Sequence, residues 1–500
     1  MPGVIIIDIP EKGLIMSADN KIFCSRGDAD MREDLLVTLR EGGRLSLAQQ
    51  IKLTVQLSIP AILAQISTIA MQYIDASMVG RLGAADSASI GLVSSSTWFL
   101  FGLCRALVVG FSVLVAQSIG AGDEKDARNL VKQGLIVGIF LGLFLAGVGS
   151  AISGPLPRWL RAEEVIRARA SDYFLIYALS MPAVVLNRLA AGLLQASGNM
   201  RTPSALMIVM CVLDVVFNQL LIFPTHEMWG MTVPGAGLGV MGAALGTALS
   251  ELVVMLILVY VLLLRSPVLR LRKGEKLRFI PVQLKRAVRL GAPVAAERLV
   301  MSGAQVVSTS IIAPLGTISI AANSFAVTAE GLCYMPGYGV QSAAVTLIGQ
   351  SVGARRKDII NRLGWVTVLL GMGIMGVAAV LMYFLAPWVI GLLSPDPEVV
   401  ALGTQVLRLE VIAEPFFGAA IVCCGVFQGA GSSLISSVLN LASMWGVRLT
   451  MTVPMVARYG LRGAWTAMTI ELFFRGMIFL FFLWRRYWLP KELRLAPVKK

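Results

Sequence analysis

LLQASGN at residues 193–199 and VFQGAGS at residues 426–432 stand 233 positions apart, and that interval decides the fold. The same shift sets Pro60 on Pro293, Leu82 and Gly83 on Leu315 and Gly316, Gln117 and Ser118 on Gln350 and Ser351, and Gly120 and Ala121 on Gly353 and Ala354. Pro182 then falls on Pro415. A longer loop at 223–238 changes the shift to 221, after which Gly239, Gly242 and Ala243 match Gly460, Gly463 and Ala464. One register kept over this distance is an internal duplication.

The medium around the repeat follows from composition. Of 500 residues, 56% are hydrophobic and 14% charged, whereas soluble domains run nearer a quarter charged. Uncharged apolar stretches recur, each long enough to cross about 30 Å of hydrocarbon as a helix. Twelve spans are expected, at 53–80, 87–118, 127–153, 168–196, 202–222, 239–264, 286–313, 318–350, 360–392, 400–429, 433–457 and 462–484. The fold class is therefore an all-α integral membrane protein with twelve transmembrane helices in two pseudo-twofold-related six-helix lobes. A soluble enzyme and a nucleic-acid-binding factor are set aside.

The net charge of +14 is explained by position. With both termini in the cytoplasm, cytoplasmic segments hold 30 Lys and Arg and the opposite loops 7, as the positive-inside rule requires. The expected organisation is an N-terminal cytoplasmic extension (1–50), an N-lobe (51–264), a basic cytoplasmic linker (265–285), a C-lobe (286–485) and a basic tail (486–500). The linker is read as lying on anionic headgroups. Two halves with the same entry side form a parallel repeat with a cavity between its lobes, the architecture of alternating access. Pro60, Pro182, Pro293 and Pro415 are hinge candidates inside spans, where each removes a backbone hydrogen bond; static kinks that help packing are the alternative.

Several chemistries are excluded. The six cysteines show no CxxC or Cys/His spacing, and His226, in an expected loop, is the single histidine. No GxxxxGK[ST] loop is present for ATP, and neither HExxH nor GxSxG with a membrane histidine supports an intramembrane enzyme.

IPAILAQISTIAMQYIDASMVGRLG (59–83), VAQSIGAGDEKDAR (115–128) and LQASGNMRTPSAL (194–206), with their second-half echoes, resemble the multidrug and toxic compound extrusion (MATE) family over about residues 50–485. The resemblance implies twelve helices in two lobes and export of organic cations or other amphiphiles in exchange for H⁺, Na⁺ being the less favoured ion. It also implies a monomer in the cytoplasmic membrane, with no cofactor besides the coupling ion. A lipid-linked oligosaccharide flippase of the same superfamily is the rival reading.

An ionisable group in hydrocarbon costs at least about 2.5 kcal/mol, so each one marks a candidate site. Asp75 matches the family's first-helix acid, and its counterpart at the 233 shift is Ser308. Asp214 and Asn218 lie one turn apart on one helix face; related members carry Asn then Asp, so the order here is reversed. Asp75, Asp214 and Asn218 are the expected cation-coupling set, for H⁺ or for Na⁺ held by oxygens, with helix packing as the alternative for Asn218. Gln72, Glu297, Glu330, Glu414 and Arg448 are substrate or cavity candidates. Glu410, Glu471 and Arg475 complete the C-lobe charges, with Glu471 and Arg475 spaced to pair and Arg448 placed to neutralise Glu414 or Glu297. Arg105 and Arg188 are expected to find partners within their own lobe or to snorkel. Trp98, Phe99, Phe101, Tyr73, Tyr334, Met335, Met444 and Trp445 could furnish a soft surface for flat cations, or simply pack.

Overall fold

The computed structural model describes residues 35–160, 162–228, 231–272, 274–275 and 278–490; most of the N-terminal extension, the last ten residues, and the side chains of Trp98, Phe99 and His226 lie outside the described residues. The first lobe contains α1 (Leu47–Gly80), α2 (Ala84–Gly120), α3 (Glu124–Ser153), α4 (Glu164–Leu179, then Met181–Ala196), α5 (Arg201–Ile222) and α6 (Val240–Tyr260). The second contains α7 (Pro281–Ile312), α8 (Thr317–Gly353), α9 (Lys357–Leu393), α10 (Pro397–Glu410, then Glu414–Gly429), α11 (Ser433–Ser443 to Thr450–Tyr459) and α12 (Leu461–Trp484). These bounds follow the twelve expected spans closely.

Among the described residues, nine helices and the bent α4 pair are long and apolar enough to cross a membrane. The other two are α8 and α11. More than half of α8 is buried by its neighbours, so it does not need an apolar surface for lipid, and α11 carries Arg448 in a π-helical turn at Met444–Leu449. Among the described residues one departure from the helical build stands at 223–238, where β1 (Pro224–Met228) and β2 (Met231–Ala236) form an antiparallel pair in place of the expected loop.

Local chemistry sets the helix ends. Ser46 and Gln49 cap α1 reciprocally, the Ser46 N–H donating to Gln49 Oε1 at 2.8 Å and the Gln49 N–H to Ser46 Oγ at 3.3 Å. Asp123 caps α3 by accepting from the Asp126 N–H at 2.9 Å. The duplication extends to turn conformation: Gly122, at φ +76°, is mirrored by Arg355, at φ +54°. A side chain in this left-handed region is strained, so the second copy keeps the turn without the residue that suits it.

Of the hinge candidates, Pro60 and Pro293 lie inside α1 and α7. Pro182 and Pro415 do not interrupt a continuous helix: each sits in the first turn after a break, the α4 break bending by 46°. There the missing N–H would have no helical partner anyway.

The lobes interlock. Residues 35–41 are helical, and Leu35, Leu36 and Leu39 pack with Leu53 and Leu57 of α1 into a core whose larger part comes from α8, α9, α10 and α12. Reciprocally, Leu290 and Val294 of α7 pack on Val109 and Val113 of α2. Glycines permit that second crossing, since a Cβ on Gly110 would stand 2.6 Å from Ala287 O and one on Gly291 2.5 Å from Ala106 O.

The linker side of the seam is closed by mirrored bonds. Gln117 Nε2 donates to Gly429 O at 3.1 Å, and its repeat partner Gln350 donates to Ala196 O at 2.8 Å. A Cβ on Gly120 or Gly353 would meet the opposite glutamine's carbonyl oxygen at 2.0 or 1.9 Å. Arg40 fastens both lobes by donating to Gln350 Oε1 and Ser197 O. The linker is docked on α3, where Arg128 Nη2 meets Glu275 Oε1 at 2.8 Å and Lys132 Nζ donates to Glu275 O at 2.8 Å. These bonds hold the Glu275 carboxyl below the usual range, chiefly through Arg128.

Candidate functional site

The coupling candidates converge. Asn218 Nδ2 donates to Asp75 Oδ1 at 3.0 Å and to Asp214 Oδ2 at 2.9 Å, and Ser250 Oγ of α6 donates to Asp214 Oδ1 at 3.3 Å. Asp214 and Asn218 are fully buried, while Asp75 on α1 is half-buried. Small residues on α6 make room for this: a Cβ on Gly246 would lie 2.1 Å from Asn218 Oδ1, and one on Gly242 2.4 Å from Leu221 O.

Among the described residues, no Lys or Arg forms an ion pair with Asp75 or Asp214. Two adjacent carboxylates repel, so the arrangement favours one added positive charge, either a shared proton or a hard cation. Asn218 Oδ1 is buried without a hydrogen-bond partner. It adds an unpartnered oxygen beside the two carboxyls.

A second acidic centre lies in the C-lobe. Carboxylate oxygens of Glu330 on α8 and of Glu410 and Glu414 at the α10 break lie within 4.8 Å of one another, a set that could hold a cation. All four oxygens of Glu410 and Glu414 are buried without hydrogen bonds. Arg448 and Arg475 are the positive groups facing Glu330.

The remaining candidates scatter. Gln72 is exposed on α1, and Glu297 accepts from Asn440 Nδ2 at 2.8 Å. Glu471 and Arg475 pair as their spacing implies, Nη2 to Oε1 at 2.6 Å, and Ser443 Oγ also bonds that oxygen. Arg448 makes none of the expected ion pairs; its Nη2 points at Met468 Sδ, 2.7 Å away. From the π-helical turn it thus reaches α12.

Arg188 finds a partner in its own lobe, Glu251 Oε1 at 3.5 Å, and Asn187 Nδ2 donates to Glu251 Oε2. Arg105 does not stay in its lobe: its Nη2 donates to Gln341 Oε1 of α8 at 3.0 Å, and its guanidinium lies 5.3 Å above the Tyr338 ring. Ser250 and Glu251 escaped the sequence reading. Glu251 carries the very signal used for the others, a carboxyl within an apolar span.

Two repeated helical lobes with buried carboxyls that lack basic partners among the described residues are the build of a membrane transporter. The MatE family model matches residues 60–220 and 293–453, one stretch in each lobe. This chain belongs to the MatE family and is a transporter. It is 25% identical over 466 residues to the probable multidrug resistance protein NorM of Chromobacterium violaceum, covering 90% of this chain and 97% of the relative. A protein of the same description from Thermotoga maritima is 25% identical over 442 residues, covering 87% and 92%. Among solved structures, a MATE protein in complex with MaL6 superposes with a TM-score of 0.83 at 22% identity, covering 92% of this chain and 99% of that one. The Vibrio cholerae MATE transporter VcmN in the bent form superposes with a TM-score of 0.79 at 19% identity, covering 92% and 100%.

Proposed function

We propose that the chain is a secondary antiporter that exports organic cations and related xenobiotics across the cytoplasmic membrane in exchange for H⁺, with both termini and the linker on the cytoplasmic side. The observation that carries this reading is the Asn218 amide bridging Asp75 and Asp214, which have no basic ion-pair partner among the described residues. The names of the NorM relatives support the substrate class.

In the outward-facing state the carboxyl pair takes up a proton, and its neutralisation lets the seam reclose on the opposite side. Loss of that proton inside restores negative charge and favours binding of a cationic substrate. One pH unit supplies about 1.4 kcal/mol per proton, and net charge movement adds about 2.3 kcal/mol per 100 mV. Na⁺ is the less favoured ion, and no other cofactor is invoked. The working unit is a monomer.

The test is movement of a fluorescent organic cation in proteoliposomes under a pH gradient or a Na⁺ gradient, wild type beside Asp75→Asn. Movement under the pH gradient alone, lost in the variant, is the expected result. Movement with Na⁺ alone would overturn proton coupling. No movement with either, together with accumulation of a lipid-linked precursor in a deletion strain, would favour a flippase.

A further inference from the structure

On the face opposite the linker, the ends of α9 and α10 enclose a groove of about 560 Å³, a size that takes a small ligand. Behind it the helices touch, since a Cβ on Gly403 would stand 3.1 Å from Ile390 Cδ1; at the groove they part, and a Cβ on Gly391 would meet no heavy atom within 4 Å. Pro387 sets the charge of this groove. Lacking an N–H, it leaves the Tyr383 carbonyl one turn earlier in α9 without its helical donor, and Arg408 Nε of α10 takes that place at 2.9 Å. The guanidinium also lies 5.1 Å above the Tyr383 ring. Arg408 is thereby held through Nε and its flat face, while among the described residues its Nη atoms have no hydrogen-bond partner and no carboxylate pairs with it. Beside it Gln405 is exposed, and Thr404, 7% exposed, carries a buried hydroxyl without a hydrogen-bond partner.

Depth identifies the medium. Arg408 stands 21 residues before Gly429, where α10 ends at the linker-side seam. At 1.5 Å per residue that is about 31 Å, the thickness of the hydrocarbon layer, so Arg408 lies at headgroup level of the opposite leaflet. Tyr383 and Trp388 are exposed on α9 at this level, as aromatics at a membrane boundary are, and Phe384 and Leu392 add exposed apolar surface beside them. A guanidinium matches a phosphate by paired, charge-assisted hydrogen bonds. A headgroup with an ammonium would set a second cation near Arg408, whereas a hydroxylated one offers partners to Thr404 and Gln405.

We propose that this groove seats a phosphatidylglycerol-class lipid, an anionic phospholipid with a hydroxylated headgroup. Its phosphate lies on the Nη atoms of Arg408, its headgroup hydroxyls on Thr404 and Gln405, and its acyl chains along the exposed face of α9. The seat lies outside both acidic centres, and its occupant ties α9 to α10 just before the break at Val411–Ala413.

Native mass spectrometry of the full chain in detergent reads the binding, with dioleoyl phosphatidylglycerol, phosphatidylethanolamine and phosphatidylcholine titrated in turn. The basic linker attracts anionic lipid as well, so the variants are compared at the tightest site. Wild type is expected to hold one phosphatidylglycerol about tenfold more tightly than either other lipid, the worth of one charge-assisted hydrogen bond. Arg408→Gln should abolish that preference. Gly391→Phe, which fills the groove from a position with open space and leaves Arg408 in place, should abolish it too, and it decides the matter where Arg408→Gln fails to fold. Equal retention of the three lipids by wild type, or a tight phosphatidylglycerol site that survives either folded variant, overturns the seat. In the wild type, glycerophosphoglycerol, the same headgroup without acyl chains, should fail to displace the lipid. Displacement by it would make this a site for a soluble phosphate ester and overturn the lipid assignment.

Discussion

In the N-lobe two carboxyls are tied to one amide, and the outer one stays half-exposed; in the C-lobe three glutamates gather where four carboxylate oxygens have no hydrogen bond. Neither centre has a counterpart in the other lobe. At the 233 shift Asp75, Asp214 and Asn218 fall on Ser308, Val447 and Met451, while Glu330, Glu410 and Glu414 fall on Thr97, Tyr177 and Met181. Turns, prolines and seam glutamines repeat, so the duplication preserved what shapes and closes the molecule. The chemistry was placed once in each lobe. An acid shared by both halves would serve the scaffold, whereas an unmirrored acid serves a task of its own lobe.

The comparison can be broken most sharply at Glu471. This residue is fully buried against Arg475, itself nearly so, and Glu471→Ala strands the guanidinium. A loss of about 3–5 kcal/mol in unfolding free energy is expected, read by thermal unfolding in detergent. A loss below about 1 kcal/mol would mean that this pair is no structural fixture.

Asp75→Asn comes next and should leave stability nearly intact. Proton-driven dye export should fall about a hundredfold, roughly 2.7 kcal/mol at 1.36 per tenfold, while Glu414→Gln reduces it far less. The reverse ranking would move coupling to the C-lobe. At the seam, Gly120→Ala and Gly353→Ala should behave alike, each destabilising the closed state by about 1–3 kcal/mol. Crosslinking yield between cysteines placed across the linker-side seam reports it, and a large effect of only one of them would show the mirrored contacts to be unequal in strength.

Arg355→Gly should stabilise by about 1 kcal/mol, because the mirrored Gly122 shows what that turn accepts. A melting temperature that stays the same or falls would show that the Arg355 side chain offsets its own strain. Smallest is Glu275→Gln, with an expected cost of up to about 1 kcal/mol at neutral pH. Since Arg128 holds that carboxyl below its unfolded value, the contribution is present above about pH 4.3 and fades as pH falls through the lower folded value. Melting curves of the variant and wild type should converge in that acid window, and a gap that persisted there would assign the cost to something other than charge.

Much of this comparison is legible in residue order. Apolar run length, with Gly, Pro and charge clusters as punctuation, finds the helices because a bilayer fixes how long a span must be, and one helical turn between Asp214 and Asn218 places both on the face that meets Asp75. Besides Ser250 and Glu251, three features escape. The crossing of α1 and α7 into the opposite lobes depends on which bundle a helix packs against, and periodicity carries no such information. Arg105 reads as a resident of its own lobe because its acceptor, Gln341, lies 236 positions away. The hairpin at 224–236 is hidden because its residues alternate too briefly among Pro, Gly and His to announce strands.

The mirrored glutamines carry a consequence for inheritance. Each copy is a spare for the other: with Gln117 replaced, the bond from Gln350 to Ala196 still holds the linker side, and the converse applies. A lesion in one lobe can therefore persist unnoticed in a lineage until its twin changes. The carboxyl sites have no such twin, so descendants that differ in seam glutamines should be more common than descendants that differ at Asp75.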